Sequence, residues 1–272
     1  KGIKMRANQF NDGWRWKHLE DDGPGASVTL PHDAMLSEPR TELSAGGVNT
    51  GWYEGRDYLY TKVFTPDRAL TDQCAVLEFE GVYHNAEVWL NGEKLAFRPY
   101  GYTNFYVELT GKLRAGEENT LEVIARNADQ PNSRWYSGAG IYRPVVLWTA
   151  DREHIKLNGV KIRTLSLDPA QIEVRVETEG AGPVSVAVLD NGRELAAASG
   201  ETKGQVTFTM TLEGAKPWSL DNPQLYACRV RFGTDEVVET FGLRTLEWGR
   251  RGLLLNGERV IVQGACIHHD NG

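Results

Sequence analysis

The chain has 272 residues, 40% of them hydrophobic and 25% charged, and carries no low-complexity tract, which excludes a disordered or fibrous protein. Its formal net charge of −7 excludes the concentrated basic surface of a nucleic-acid binder, and no apolar run approaches the roughly 20 residues of a membrane span, so neither nucleic acid nor membrane is an expected partner. At this length two hydrophobic cores are expected, each serving roughly 100–150 residues.

Residues 1–20 lack the apolar centre of a signal peptide. Further on, apolar and polar residues alternate in short runs, the period-2 signature of half-buried strands. Ala75, Leu77 and Phe79 face one way and Glu78 and Glu80 the other. Ala86, Val88 and Leu90 lead into Asn91-Gly92, a pair suited to a tight type I′ hairpin, with the return strand starting at Glu93. Leu121, Val123 and Ala125 alternate with Glu122 and Arg126. Near residue 150 the composition shifts: tryptophans at 14, 16, 52, 89, 135 and 148 precede it, while the Val- and Thr-rich stretch that follows holds a single Trp218 before residue 245. A domain boundary is expected there. Ile172, Val174 and Val176 read as one strand and Val184, Val186 and Val188 as the next, after which Asp190-Asn191-Gly192 turns the chain back. Val206, Phe208, Met210 and Leu212 alternate with Thr207, Thr209 and Thr211. No helical 3.6-residue stripe competes, and short strands separated by turns indicate antiparallel sandwiches. Near the end, a further Asn-Gly at 256–257 precedes Val260, Ile261 and Val262, a continuous apolar run that fits a strand buried on both faces, as in a parallel barrel.

Cys74, Cys228 and Cys266 are far apart, and the first two fall in apolar strand patterns, so buried free thiols are expected. No CxxC or HxxxH spacing points to a metal. Three separated cysteines point to a cytoplasmic compartment, with a bacterial periplasm as the alternative.

The most specific string is NADQPNSRWYSGAGIYRPVVL at 127–147. It is joined, in order along the chain, by LPHD at 30–33, GWYEGRDYLYTKVF at 51–64, GVYHNAEVWLNGE at 81–93, PWSLDNPQLY at 217–226, FGLRTLEW at 241–248 and LNGERVIVQGACIHHD at 255–270. This ordered set resembles glycoside hydrolase family 2, which includes β-galactosidases, β-glucuronidases and β-mannosidases, and the resemblance covers essentially the whole chain. It implies an all-β chain: a jelly-roll, galactose-binding-like β-sandwich over 1–150, an immunoglobulin-like β-sandwich over 151–248, and the first hairpin and strand of a truncated (β/α)8 barrel over 249–272. A complete barrel needs roughly 200–250 further residues. The chain therefore reads as a fragment lying ahead of its own missing catalytic barrel. The family's two catalytic glutamates belong to that barrel, so neither a catalytic residue nor a cofactor is expected here.

By the same resemblance, Asp270 is expected to accept hydrogen bonds from hydroxyls of the cleaved sugar, with His268 supporting it. A metal at His268, His269 and Asp270 is not expected, because adjacent residues of an extended segment point to opposite faces. Asn132, Ser133, Arg134, Trp135 and Tyr136 form the second candidate, with Ser133, Arg134 and Trp135 as its sugar-contacting residues, since the corresponding family loop can reach over the barrel mouth. Some β-galactosidases carry an aspartate where Ser133 stands; serine lacks the charge to hold a cation, while Arg134 has donors for hydroxyls or a carboxylate. The competing reading makes Trp135 and Tyr136 sandwich core and Arg134 an interdomain strut. Trp52, Tyr53, Tyr100 and Tyr102 read either as an aromatic platform for a pyranose or as packing, and packing is favoured. For the parent protein the resemblance implies retaining hydrolysis, in which one glutamate attacks the anomeric carbon and another protonates the leaving oxygen, with carboxyls about 5–5.5 Å apart. A β-galactoside is the expected substrate and a β-glucuronide the second choice. The rival readings are a free-standing carbohydrate-binding module and an assembly surface for a homo-oligomer.

Overall fold

The computed structural model describes residues 5–267, which form two compact units built on Arg6–Thr149 and Ala150–Ala265. The first unit contains β1 (Arg6–Gln9), β2 (Trp14–His18), β3 (Ala26–Val28), β4 (Asp57–Phe64), β5 (Gln73–Phe79), β6 (Ala86–Leu90), β7 (Glu93–Arg98), β8 (Phe105–Glu108), β9 (Asn119–Arg126) and β10 (Val145–Asp151). They assemble into a six-stranded sheet of order β3-β2-β4-β9-β6-β7 and a four-stranded sheet of order β1-β10-β5-β8. One apolar core lies between the sheets. Tyr58, Tyr60, Val88, Leu121 and Val123 enter it from the first, and Leu77, Phe79, Val107 and Val145 from the second.

The alternation expected from sequence holds: Ala75, Leu77, Phe79, Leu121, Val123 and Ala125 are all buried, while the intervening Glu78 and Glu122 keep partial exposure. Each large apolar side chain so buried contributes about 1.5–3 kcal/mol, which is why the pattern fixes the faces of the strands. Asn91 and Gly92 sit at φ of 51° and 83°, the paired positive values that a type I′ turn requires.

The second unit contains β11 (His154–Leu167), β12 (Ala170–Asp190), β13 (Arg193–Thr211), β14 (Tyr226–Phe232) and β15 (Asp235–Phe241). The expectation of two separate strands at 172–176 and 184–188 is corrected here, because both belong to the single 21-residue strand β12. Its first half pairs with β11 and its second half with β14, while β13 runs beside both. The register with β13 slips between Glu177 and Ala181, where Gly180 takes a φ of 98°, and the strand then continues. Gly-Ala-Gly-Pro would break an isolated strand, but a hairpin partner that follows the bend keeps the ladder intact. Ile172, Val174, Val176, Val184, Val186 and Val188 are all buried, and share one core with Met210, Leu212, Cys228, Val230 and Phe232.

A small antiparallel sheet follows, made of β16 (Leu246–Gly249), β17 (Gly252–Leu255) and β18 (Glu258–Val260). Asn256 ties it to the unit, donating through Nδ2 to the Trp218 carbonyl at 2.9 Å and accepting from the Thr245 amide at 3.0 Å. The doubly buried strand expected at 260–262 is not formed: β18 stops at Val260, and Ile261 and Val262 are 70% and 75% exposed. A barrel strand draws its hydrogen bonds and its cover from parallel neighbours. β18 has β17 as its partner, antiparallel. Cys74 and Cys228 are buried, as expected, and Cys266 is exposed.

Candidate functional site

Two of the sequence motifs meet at one end of the first sandwich. His32 donates its backbone N–H to the Ile141 carbonyl at 2.8 Å, and Ala34 donates to Ala139 at 2.9 Å, so LPHD runs against the SGAGIY stretch. The Asp33 carboxylate completes the clasp, accepting from the Tyr136 hydroxyl at 2.6 Å, the Ala139 amide at 2.9 Å and the Met35 amide at 3.1 Å. Gly138 packs so closely on this carboxylate that a Cβ there would stand 2.6 Å from Asp33 Oδ2. The Tyr136 ring rests against Tyr53 with centroids 5.9 Å apart, and the Arg40 guanidinium lies 5.5 Å from the Tyr53 centroid.

Next to the clasp, residues 127–137 form an irregular loop held by side-chain hydrogen bonds. Asn132 is its hub. Its Oδ1 accepts from the Tyr83 hydroxyl at 3.1 Å, and its Nδ2 lies 2.8 Å from Asn127 Oδ1, 2.9 Å from the Asp129 carbonyl and 3.0 Å from His84 Nε2. Burial lowers the His84 pKa against the pull of Asp57 and Asp129, favouring the neutral imidazole whose ring nitrogen can accept from an amide. Burial likewise raises the pKa of the Tyr83 hydroxyl, keeping it a donor. Inside the loop, Asn127 Nδ2 and Gln130 Oε1 are buried without a hydrogen-bond partner among the described residues.

Ser133, Arg134 and Trp135 lie on the outer part of this loop. Ser133 Oγ accepts from the Trp135 amide at 3.3 Å and from Ser137 Oγ at 2.9 Å, and Ser137 Oγ lies 2.8 Å from the Tyr102 hydroxyl. Arg134 is exposed, and Trp135 is 39% exposed, so Trp135 is not core. Tyr136 is half-buried against Tyr53, as packing would have it. The aromatic group expected from sequence divides into two settings. Tyr53 joins Tyr136, whereas Tyr100 and Tyr102 pair with centroids 5.6 Å apart and Tyr102 meets Tyr83 at 5.3 Å. Trp52 precedes Tyr53 on its loop at a φ of 68°. His268, His269 and Asp270 lie outside the described residues. The sequence reading did not single out Tyr83, His84, Asn127 or Ser137 as site groups, although all four stand in the motifs GVYHNAEVWLNGE and NADQPNSRWYSGAGIYRPVVL.

A separate polar nucleus fastens the end of β2. The buried Glu38 carboxylate receives the Tyr58 hydroxyl at 3.1 Å, faces His18 Nε2 at 2.7 Å and pairs with Arg56 Nε at 3.3 Å. Burial, reinforced by Glu38, drives the Tyr58 pKa far above its ordinary value. In the second unit, a groove of about 830 Å³ is lined by Ile162, Leu165, Trp218, Phe241 and Arg244, with the Arg244 guanidinium 5.1 Å from the Trp218 ring. There the motifs PWSLDNPQLY and FGLRTLEW pack together, and the Tyr226 hydroxyl closes a local turn by accepting from the Lys216 amide at 2.6 Å.

Comparison with known proteins bears on both units. The family model described as "Glycosyl hydrolase 2 galactose-binding domain-like" matches residues 26–162, and that described as "Glycosyl hydrolases family 2" matches 147–244. A β-galactosidase of Bacteroides ovatus is 35% identical over 97% of this chain and 35% of its own length. A β-glucuronidase of Streptococcus agalactiae is 26% identical over 94% of this chain and 47% of its own. Among solved structures, a glycosyl hydrolase family 2 member from Bacteroides cellulosilyticus superposes with a TM-score of 0.82 at 29% identity, covering 98% of this chain and 39% of that one. The chain thus spans about a third to a half of the length of these relatives. Ordered motifs, an all-β fold in two units and two successive family models agree along the chain, and the chain belongs to glycosyl hydrolase family 2.

Proposed function

We propose that this chain is the sandwich region of a longer retaining β-glycosidase that cleaves terminal β-galactosides, and that Ser133, Arg134 and Trp135 contribute sugar contacts from the first sandwich. The observation that supports it is the brace behind the loop: Asn132, Ser137 and Tyr136 are each fixed by hydrogen bonds, while Arg134 and Trp135 are left exposed on a positioned backbone. Such preorganisation lowers the ordering cost of binding a polyhydroxylated ligand. By resemblance Asp270 and His268 are further candidates for sugar contact, and the acid/base and nucleophilic carboxyls belong to the remainder of the protein. One feature favours a β-glucuronide instead, because the exposed Arg134 guanidinium suits a carboxylate as well as hydroxyls.

The test is hydrolysis of nitrophenyl β-galactoside and β-glucuronide by the whole protein. Arg134→Ala and Trp135→Ala should each lower kcat/KM on the preferred substrate by about tenfold, equivalent to about 1.4 kcal/mol of lost transition-state contact. Turnover of neither substrate would sink the glycosidase reading. Full activity in both variants would remove this loop from the site.

A further inference from the structure

We infer that Tyr100 and Tyr102 form a second sugar subsite, a ledge on which a neutral pyranose unit of a β-linked oligosaccharide stacks beside the Ser133–Trp135 loop. The inference rests on the reading of the chain as part of a glycosidase, and adds a place for a sugar unit beyond the one cleaved.

Two tyrosines on one short loop remain 56% and 40% exposed although their backbone is held at several points. Arg98 donates to Thr103 Oγ1 at 2.5 Å across the base of the loop, and the Asn85 amide donates to the Pro99 carbonyl at 3.2 Å. The Tyr142 hydroxyl donates to the Gly101 carbonyl at 2.8 Å, between the two tyrosines. Asn104 closes the far end, donating to Glu78 Oε1 at 2.8 Å. The Tyr102 ring is itself fixed, edge-on to Tyr83 with centroids 5.3 Å apart and with its hydroxyl on Ser137 Oγ at 2.8 Å.

Rings kept exposed on a braced backbone bind at small entropic cost, since a tyrosine has few side-chain torsions to lose. The groups that border the ledge fit a neutral sugar. Ser137 and Ser133 present hydroxyls in series with that of Tyr102, and hydroxyls both donate and accept. The nearby Arg98 guanidinium is engaged with Thr103, and that of Arg143 lies 5.8 Å from the Tyr142 ring. Ser137 links the two places, being bonded to Tyr102 on one side and to Ser133 on the other. An oligosaccharide that reaches the Ser133–Trp135 loop therefore has its next unit at the tyrosines.

The experiment is calorimetric titration of the 272-residue chain with β-1,4-galactotetraose and, separately, with galactose. Saturable millimolar binding of the tetrasaccharide, weakened about three- to tenfold in Tyr100→Ala and retained in Tyr100→Phe, is the expected result. Tyr102→Phe keeps the ring and drops the link to Ser137, and should cost about two- to threefold. Thermal melts matching the parent chain ensure that the exposed-site variants are folded. No saturable heat up to about 20 mM tetrasaccharide, or unchanged binding in Tyr100→Ala, overturns the ledge. The two readings fail separately. Nitrophenyl β-galactoside hydrolysis by the whole protein without tetrasaccharide binding here sinks the ledge alone; tyrosine-dependent binding with no hydrolysis of either nitrophenyl glycoside sinks the glycosidase reading alone.

Discussion

The Asp33 carboxylate receives Tyr136, Ala139 and Met35, two of them more than 100 positions away in the chain. Gly138 is glycine for a reason visible beside it, since its φ of 68° disfavours a side chain and a Cβ would press on the carboxylate. The stretch from Tyr136 to Ala139 in the string WYSGAGIYR therefore fastens a loop. Asp33→Ala leaves those three donors without their acceptor and should cost about 2–4 kcal/mol in urea unfolding, with fluorescence following the tryptophans. A loss below about 0.5 kcal/mol would show that the clasp does not hold the loop. LPHD was visible as a motif in the sequence, but its partner was not, because a hydrogen bond between residues a hundred positions apart leaves no local pattern. The same holds for Asn132 and His84, whose contact depends on two loops arriving at one end of a sandwich.

Among elements, those defined by local chemistry were the legible ones. The turns at Asn91-Gly92, Asn191-Gly192 and Asn256-Gly257 all have positive φ at both residues, as Asn-Gly pairs predict. The single strand β12 was missed because its continuity is conferred by β13, which pairs with it on both sides of the bend, as at Val176↔Val206 and Val184↔Gly200. Gly180 is the point where that bend depends on residue type: its φ is 98°, and a Cβ would lie 3.0 Å from Glu153 Cγ. Gly180→Val should destabilise the second unit by about 1–3 kcal/mol, read as a lowered urea midpoint, whereas an unchanged midpoint would mean that the bend tolerates a side chain. The apolar run at 260–262 shows the converse. Its pattern suits a buried strand, yet exposed Ile261 and Val262 show that a pattern needs neighbours to become a strand.

At the scale of the whole molecule, stability should depend on pH through two histidines of the first unit. Burial lowers the pKa of His32, opposed by Asp33, and that of His84, opposed by Asp57 and Asp129. Below the ordinary histidine pKa of 6.5 the unfolded chain takes up protons that the folded chain resists. Their contribution is thus complete above pH 6.5 and is lost as pH falls from there through the folded values. Glu87 acts in a lower window: the hydrogen bond from Lys94, together with Arg126 and against the cost of burial, holds its pKa below 4.5, so its contribution fades only under more acidic conditions. Thermal melts should show a midpoint falling between about pH 7 and pH 5.5, and the fall should flatten in the double variant His32→Gln/His84→Gln. An equal slope in the variant would assign the effect to other groups.

The amino-acid sequence by itself determined the all-β class, the faces of the strands, the Asn-Gly hairpins and, through its ordered motifs, the family. These are local properties or properties of order along the chain: period-2 burial, turn chemistry and motif succession. Only the tertiary structure decided that LPHD clasps the SGAGIY stretch, that Trp135 is exposed while Tyr136 is packed, and that Tyr100 and Tyr102 stand out on a braced loop. The physical reason is that exposure and long-range hydrogen bonds arise from the meeting of segments far apart in sequence. Whether an aromatic ring becomes core or contact surface is settled by its neighbours in space.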